Sequence, residues 1–352
     1  MMQATRPTRI GRLARRCASR RHAAIAGAAA LTIAVAGCGG SSDNSATAAS
    51  GGSSSGKLTT VRVGVLPIGT QVPLYLGIRH GFFRAEGIDV QPQVMSGGSA
   101  IVPALLQGSL QLGFVNGATI VFGAGRGLPI EVVAAGEGAP LRGNRDEDLS
   151  RLVVAKDSPI RTARDLDGKT IAVSGLRDAP ELLTRAALAK EGVDLGSLRF
   201  QEIGYADMLA ALDAHRVDAA YLVTPFGEQA ERDGDVTLAR PYYDTQPGLG
   251  TAYYATSRQF AQQSPQVVAG FQRAMLKSVA YANAHIDEAR RLLPSFTTIP
   301  ADVVPRVNFG HFPETRQEAV DSLNTIGGLM TDYRWIDSTP DIDALVFNPD
   351  AR

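Results

Sequence analysis

The sequence predicts an α/β protein built of two lobes, with the chain crossing between them twice. Three observations carry this. Short β-branched runs alternate with helical patterns from Val61 onward. The alternation stops at a polar interval, Gly136 to Ser150, and then restarts. The last third holds long helices and one more strand, as expected if the chain returns to pack on the first lobe.

The elements follow in order. Val61 to Leu66 is a β-branched strand. Pro73 stands where a first helical turn tolerates it, and Leu74, Ile78, Phe82 and Phe83 recur at helical spacing, so these residues form a helix that covers the sheet. Gly87 is placed to stop it in a left-handed cap, and Ile88 to Val94 reads as a strand. Ser99 to Gln107 is a helix, Leu110 to Val115 a strand, Thr119 to Ala124 a helix and Ile130 to Ala135 a strand. This βαβα order calls for a parallel sheet covered on both faces. After the polar interval come strands at Leu152 to Ala155 and Lys169 to Val173, a helix over Pro180 to Glu191 and a strand at Arg199 to Ile203. A helix over Met208 to Ala214 and a strand at Val217 to Val223 complete the second lobe. ALLQGSLQLGFVN (104–116) and ALDAHRVDAAYLV (211–223) align without gaps, as a duplication or as two similar αβ turns. An irregular patch, Ala239 to Gly250, precedes a strand at Thr251 to Thr256. Ser264-Pro265 then opens a helix to Leu293 with Val268, Phe271, Met275, Val279 and Ala282 on one face, and a last helix runs from Pro313 to about Met330.

The N-terminus belongs to export rather than to the fold. Residues 1–22 carry seven arginines and no acid, Ala23 to Ala36 is a short apolar run, and Val35-Ala36-Gly37-Cys38 matches a bacterial lipobox. Cys38 is thus expected to carry lipid, which would anchor the protein to the outer face of the membrane. Gly39 to Gly56 is a Gly/Ser/Ala tether with one charge and little to bury. Either the general or the twin-arginine export route fits. The expected organisation is 1–37 signal peptide, 38–57 lipidated cysteine and tether, 58–140 first part of lobe 1, 141–245 lobe 2 and 246–352 the return to lobe 1. Of 35 basic and 35 acidic residues, the leader holds seven arginines, leaving 28 against 35 and a formal charge of −7. That argues against nucleic acid as partner. With Cys17 in the leader and Cys38 lipidated, the folded part has no thiol for a disulfide, a zinc–thiolate site or a nucleophile.

VRVGVLP, PLYLGIRHGFFRAEGIDV, GGSAIVPALLQGSLQLGFVN, LVVAKDSPIRTARDLDGKTIAV and LVTPF, in that order between Val61 and Gly227, resemble one family. It is the nitrate/sulfonate/taurine group of ABC-importer substrate-binding proteins, which also includes binders of thiamine-precursor pyrimidines. The resemblance implies a type II periplasmic-binding fold, whose lobes close on a small solute and deliver it to a permease and its ATPase, with no cofactor and no metal. The chain is expected to act as a monomer, and a sensor in place of the permease is not distinguished. Ligands of open α/β sheets sit outside the strand carboxyl ends, where helix N-termini offer unpaired N–H groups.

The loops at those ends supply the candidates. Thr70 and Gln71 offer side-chain hydrogen bonds; in Ser96-Gly97-Gly98-Ser99 the glycines let backbone N–H groups approach a solute, and either serine can cap a helix. Asn116-Gly117 follows a buried strand, as a cleft loop or an ordinary turn. In lobe 2, Ser174-Gly175 precedes a helix, and Arg177 is either a clamp for a sulfonate or carboxylate or a surface partner of Asp178 or Glu181. Thr224 stands before Pro225 where the family often has an acid, which favours an anionic, sulfonate-, nitrate- or taurine-like solute or a neutral one over a cation. A thiamine-precursor pyrimidine or other small aromatic solute is the alternative. Fungal relatives that make the thiamine pyrimidine are identified with a cysteine-rich motif that is missing here, so an enzyme is not expected. Trp335 reads as packing, and Asp165 to Gly168 lacks the further carboxylates of a calcium loop.

Overall fold

The structure is a computed structural model that describes residues 57–349. The signal peptide, Cys38, the tether to Gly56 and residues 350–352 lie outside the described residues. The first lobe contains β1 (Thr59–Val65), α1 (Val72–Arg79), α2 (Phe82–Ala85), β2 (Ile88–Val94), α3 (Gly98–Leu106), β3 (Leu112–Asn116), α4 (Gly117–Gly125) and β4 (Ile130–Gly138). The chain then crosses to β5 (Ser150–Val154), β6 (Thr170–Val173), α5 (Ala179–Lys190), β7 (Arg199–Glu202), α6 (Tyr205–Asp213), β8 (Ala219–Val223), α7 (Phe226–Asp233) and β9 (Val236–Ala239). It returns through α8 (Pro241–Thr245) to β10 (Gly250–Ser257), α9 (Arg258–Gln263), α10 (Pro265–Ala284), α11 (Ile286–Leu292) and α12 (Arg316–Asp332).

Two five-stranded sheets result, ordered β2-β1-β3-β10-β4 and β7-β6-β8-β5-β9. Each is mixed rather than parallel as expected. In lobe 1, β10 runs antiparallel to β3 and β4; in lobe 2, β5 runs antiparallel to β8 and β9. The two reversed strands are the first that the chain forms after each crossing. Ser150 pairs with Val223 and Ala252 with Asn116, so β5 and β10 start beside the carboxyl ends of their neighbours. A chain arriving at that end can only run away from it. The crossings therefore place both reversed strands, and helical alternation gave no sign of them.

Local sequence explains most elements. Val61, Val63 and Val65 alternate into the core of β1, and all five residues of β8 are buried. The stripe on α10 is buried as expected and packs against α1, α2 and β4, with Phe271 against Phe83 and Tyr254. Gly81 at φ +72° divides the first expected helix into α1 and α2, and Gly87 at φ +73° ends it. The long helix breaks at His285, after which Asp287 and Glu288 open α11 where the helix dipole favours acids. The last helix starts at Arg316 rather than Pro313, because Thr315 and Glu318 form a capping box. The stretch 226–239, with no assignment from periodicity, forms α7 and β9.

Candidate functional site

The carboxyl ends of β1, β2, β3, β6 and β8 and the helices that follow them meet between the lobes. They enclose a cavity of about 50 Å³ lined by Leu66, Ile68, Ser96, Gly97, Gly98, Phe114, Asn116, Glu137, Ser174, Asp178, Pro180, Tyr205, Val223, Tyr242 and Ala252. Of the sequence candidates, Ser96, Gly97, Gly98, Asn116 and Ser174 are brought together there. Ser99 and Gly117 are the next residues into α3 and α4, and Gly175 and Arg177 lie beside Ser174 and Asp178; none of the four lines the cavity.

The remaining candidates do not line the cavity, although Thr70 Oγ1, Gln71 Nε2 and Thr224 Oγ1 are buried without a well-placed hydrogen-bond partner. Thr70 and Gln71 are fully buried behind the cavity, and Gln71 Oε1 accepts from Tyr254 Oη at 3.2 Å. Thr224 is also fully buried, and its carbonyl accepts from Gly69 N at 3.1 Å across the two lobes. Arg177 does not line the cavity. Its backbone N–H donates to Glu181 Oε2 at 2.8 Å, while its guanidinium reaches lobe 1, donating to the Trp335 carbonyl at 3.2 Å. It also lies over the rings of Trp335 and Phe122, at 5.7 and 5.9 Å.

Further contacts hold the lobes together at the cavity. Thr119 Oγ1 donates to Asp178 Oδ1 at 3.0 Å, from α4 to the start of α5. Asn116 and Asp178 cap α4 and α5 with their side chains, accepting from Thr119 N and Ala179 N. By contrast α3 and α6 begin at Gly97 and Gly204 without a side-chain cap. Asp178 is half-buried as a residue, but its carboxyl points inward and burial raises its pKa.

Sequence reasoning missed Glu137, at the end of β4 inside the interval read as polar linker. It is 3% exposed and lines the cavity. Tyr242 Oη and Thr251 Oγ1 donate to Oε1 at 2.9 and 3.1 Å. The Thr70 hydroxyl is a third donor beside the same carboxylate and lowers its pKa, but its placement falls short of good hydrogen-bond geometry, as does that of Glu137 Oε2. Burial drives the Glu137 pKa up, against the hydroxyl donors that lower it. The cavity lining thus carries two carboxylates and, among the described residues, no lysine, arginine or histidine. The expectation of an anionic solute rested on the missing acid at Thr224; the structure supplies acids from β4 and α5 instead.

The crossings themselves are fastened. Ala139 N donates to Leu249 O at 2.8 Å, Gly248 N to Pro140 O at 2.9 Å, and Arg145 pairs with Asp244 at 2.7 Å. Asp148 accepts from Ser150 N, Ser150 Oγ and Tyr243 N; burial nevertheless raises its pKa to about 6. A wider groove of about 230 Å³ lies beside α10 and α12, but it is confined to lobe 1 and its Arg316 is turned to Asp343 at 3.2 Å. Among the described residues no cluster of three or more His, Cys, Asp or Glu is placed to hold a metal, and no helix is long and apolar enough to cross a membrane.

This chain belongs to the NMT1/THI5-like family, whose profile matches residues 70–289. It is 27% identical over 195 residues to the taurine-binding periplasmic protein of Escherichia coli, covering 55% of this chain and 58% of that one. It is 21% identical over 223 residues to the formylaminopyrimidine-binding protein of Halalkalibacterium halodurans, covering 62% and 64%. The chain therefore spans about three-fifths of these two relatives. Its fold matches that of the alkanesulfonate-binding protein SsuA from Xanthomonas axonopodis pv. citri bound to MOPS, with a TM-score of 0.68 at 21% identity, covering 82% of this chain and 98% of that one. The fold is thus that of the type II periplasmic binding proteins, in agreement with the sequence.

Proposed function

We propose that this chain is the extracytoplasmic solute receptor of an ABC importer. It captures a small solute in the cavity between its lobes and presents the closed form to a permease. The observation that carries this reading is the cavity, where loops from both sheets converge at strand carboxyl ends and helix N-termini. A solute there would touch both lobes at once, so it would favour the closed arrangement over any open one. Relatives named for binding taurine and formylaminopyrimidine support the receptor class. The Val35-Ala36-Gly37-Cys38 motif supports a lipid anchor that keeps the receptor at the membrane.

The site residues in this reading are Ser96, Gly97, Gly98 and Asn116 from lobe 1 and Ser174, Asp178 and Tyr205 from lobe 2. Nothing in the arrangement calls for chemistry on the solute. A thermal-shift panel of taurine, alkanesulfonates, nitrate, bicarbonate, aromatic acids and pyrimidines tests it. At least one should raise Tm in a dose-dependent way, as a native-state ligand must. Turnover of a solute without stabilisation would instead mark an enzyme. Labelling with a radioactive fatty acid, lost in Cys38→Ala, tests the anchor.

A further inference from the structure

We infer that Glu137 selects the solute by its nitrogen: the cavity takes a compound that presents an ammonium or amino N–H group to Glu137 Oε2. The inference rests on the receptor reading and names the class of solute for that site. Glu137 is 3% exposed and lines the cavity; two hydroxyls donate to Oε1, and besides them the carboxylate has only the Thr70 hydroxyl, at a geometry short of a good hydrogen bond. A buried acceptor without a donor is costly, and a donor that arrives with the solute recovers the loss. The groups nearest the carboxylate are Thr70, Tyr242 and Thr251, from three separate segments of lobe 1 and the second crossing. The ionisable groups that feel its charge are Tyr205, Tyr221, Tyr242 and Tyr254, from α6, β8, α8 and β10. None of these is a cation.

The second carboxylate of the lining, Asp178, is committed to Ala179 N and Thr119 Oγ1. Both bonds fall on Oδ1, and Asn116 stands beside the same carboxyl; Glu137 is the more deeply buried of the two acids. The start of α3 at Gly97-Gly98, uncapped by any side chain, faces the same cavity and suits an acceptor on the same solute. A bare anion such as nitrate or an alkanesulfonate satisfies only the helix and brings no donor to Glu137.

Matched pairs test this by calorimetry: taurine against ethanesulfonate, and 4-amino-2-methylpyrimidine against 2,4-dimethylpyrimidine. In the pair that binds, the nitrogen-bearing member should be tighter by about tenfold or more, as a charge-assisted bond to a buried carboxylate allows. Glu137→Gln should reduce that preference to below about threefold. A second readout needs no solute. Burial raises the pKa of Glu137, so its contribution to stability is present at acid pH and is lost as pH rises through the folded value. Glu137→Gln should therefore melt no higher than the parent below about pH 4 and gain on it as pH rises to about 8. Equal affinity for both members of the binding pair, or a preference unchanged in Glu137→Gln, overturns the role of Glu137 and leaves the receptor reading intact. Failure of these four and of every solute in the wider panel to bind overturns the receptor reading, and this inference with it.

Discussion

Two carboxylates in this molecule are equally deep and differently treated. Glu228, on α7 in lobe 2, is 1% exposed, and Glu137, at the cavity, is 3% exposed. Glu228 has its own cation: Arg151, 2% exposed on β5, stands 3.1 Å from Glu228 and 2.9 Å from Glu231. The N–H directions of Arg151 do not line up for good hydrogen bonds, but charge compensation depends on distance more than on direction. Burial raises the Glu228 pKa even so, with Arg151 pulling against it. Asp148, in the first crossing, is intermediate, held by three donors with the Arg240 charge as a weaker aid. Glu137 has two well-placed donors on one oxygen and, besides them, only the off-geometry Thr70 hydroxyl. The difference separates a carboxylate that completes a fold from one that waits for a partner.

The paired site should be the harder to disturb. Arg151→Met leaves Glu228 buried without a cation and should cost about 3–5 kcal/mol in urea denaturation. Adding Glu228→Gln should restore most of that loss. A double variant as unstable as the single one would mean that Arg151 acts by packing alone. Glu137→Gln, by the same measurement at neutral pH, should cost nothing.

A smaller effect is expected where the lobes touch. A Cβ on Gly69 would stand 2.9 Å from Thr224 Cγ2, so Gly69→Ala wedges the closed arrangement while leaving each lobe intact. Overpacking of this kind costs about 1–3 kcal/mol, charged here to closure. Solute affinity should fall accordingly, and small-angle scattering should show a larger radius with solute present than in the parent. Gly98→Ala is its control: the nearest atom to its Cβ is 3.7 Å away, so the fold should tolerate it, and any loss of affinity reports the solute itself.

The smallest effect is at the rim. Arg177→Ala removes the contact with Trp335 and Phe122, worth about 0.5–1 kcal/mol at an exposed site. Affinity should drop by about fivefold or less, with no change in which solute is preferred. A change of preference would return Arg177 to the role of ligand clamp.

How much of this was legible depended on whether a signal was local. Strand runs, the α10 stripe and the Gly87 stop are all set within a few residues and can be read in the sequence, whereas the equally local Thr315–Glu318 cap was missed in favour of Pro313. The antiparallel setting of β5 and β10 is set by where the chain enters each sheet, which periodicity does not encode. The stretch 226–239 hid α7 and β9 because its helix carries Glu228, Glu231, Arg232 and Asp233 and buries only Gly227, Glu228 and Ala230. The cavity loops were found because glycine, serine and asparagine mark the ends of strands. Glu137 was missed because a single acid between two glycines looks like a linker, and only the fold shows Tyr242 and Thr251 arriving at one of its oxygens. Arg177 stands beside the cavity residue Asp178 in sequence, but its side chain is long enough to reach across to Trp335.

The central claim, that the lobes close on a solute held between them, has a reporter built in. Trp335 is the sole tryptophan of the chain and lies where Arg177 of lobe 2 meets lobe 1. Titration with a solute that raises Tm should change Trp335 emission in a saturable way, with a midpoint equal to the calorimetric Kd, and Arg177→Ala should abolish most of the change. Calorimetric binding with no response at Trp335, in a protein whose scattering radius also stays constant, would contradict closure around the solute.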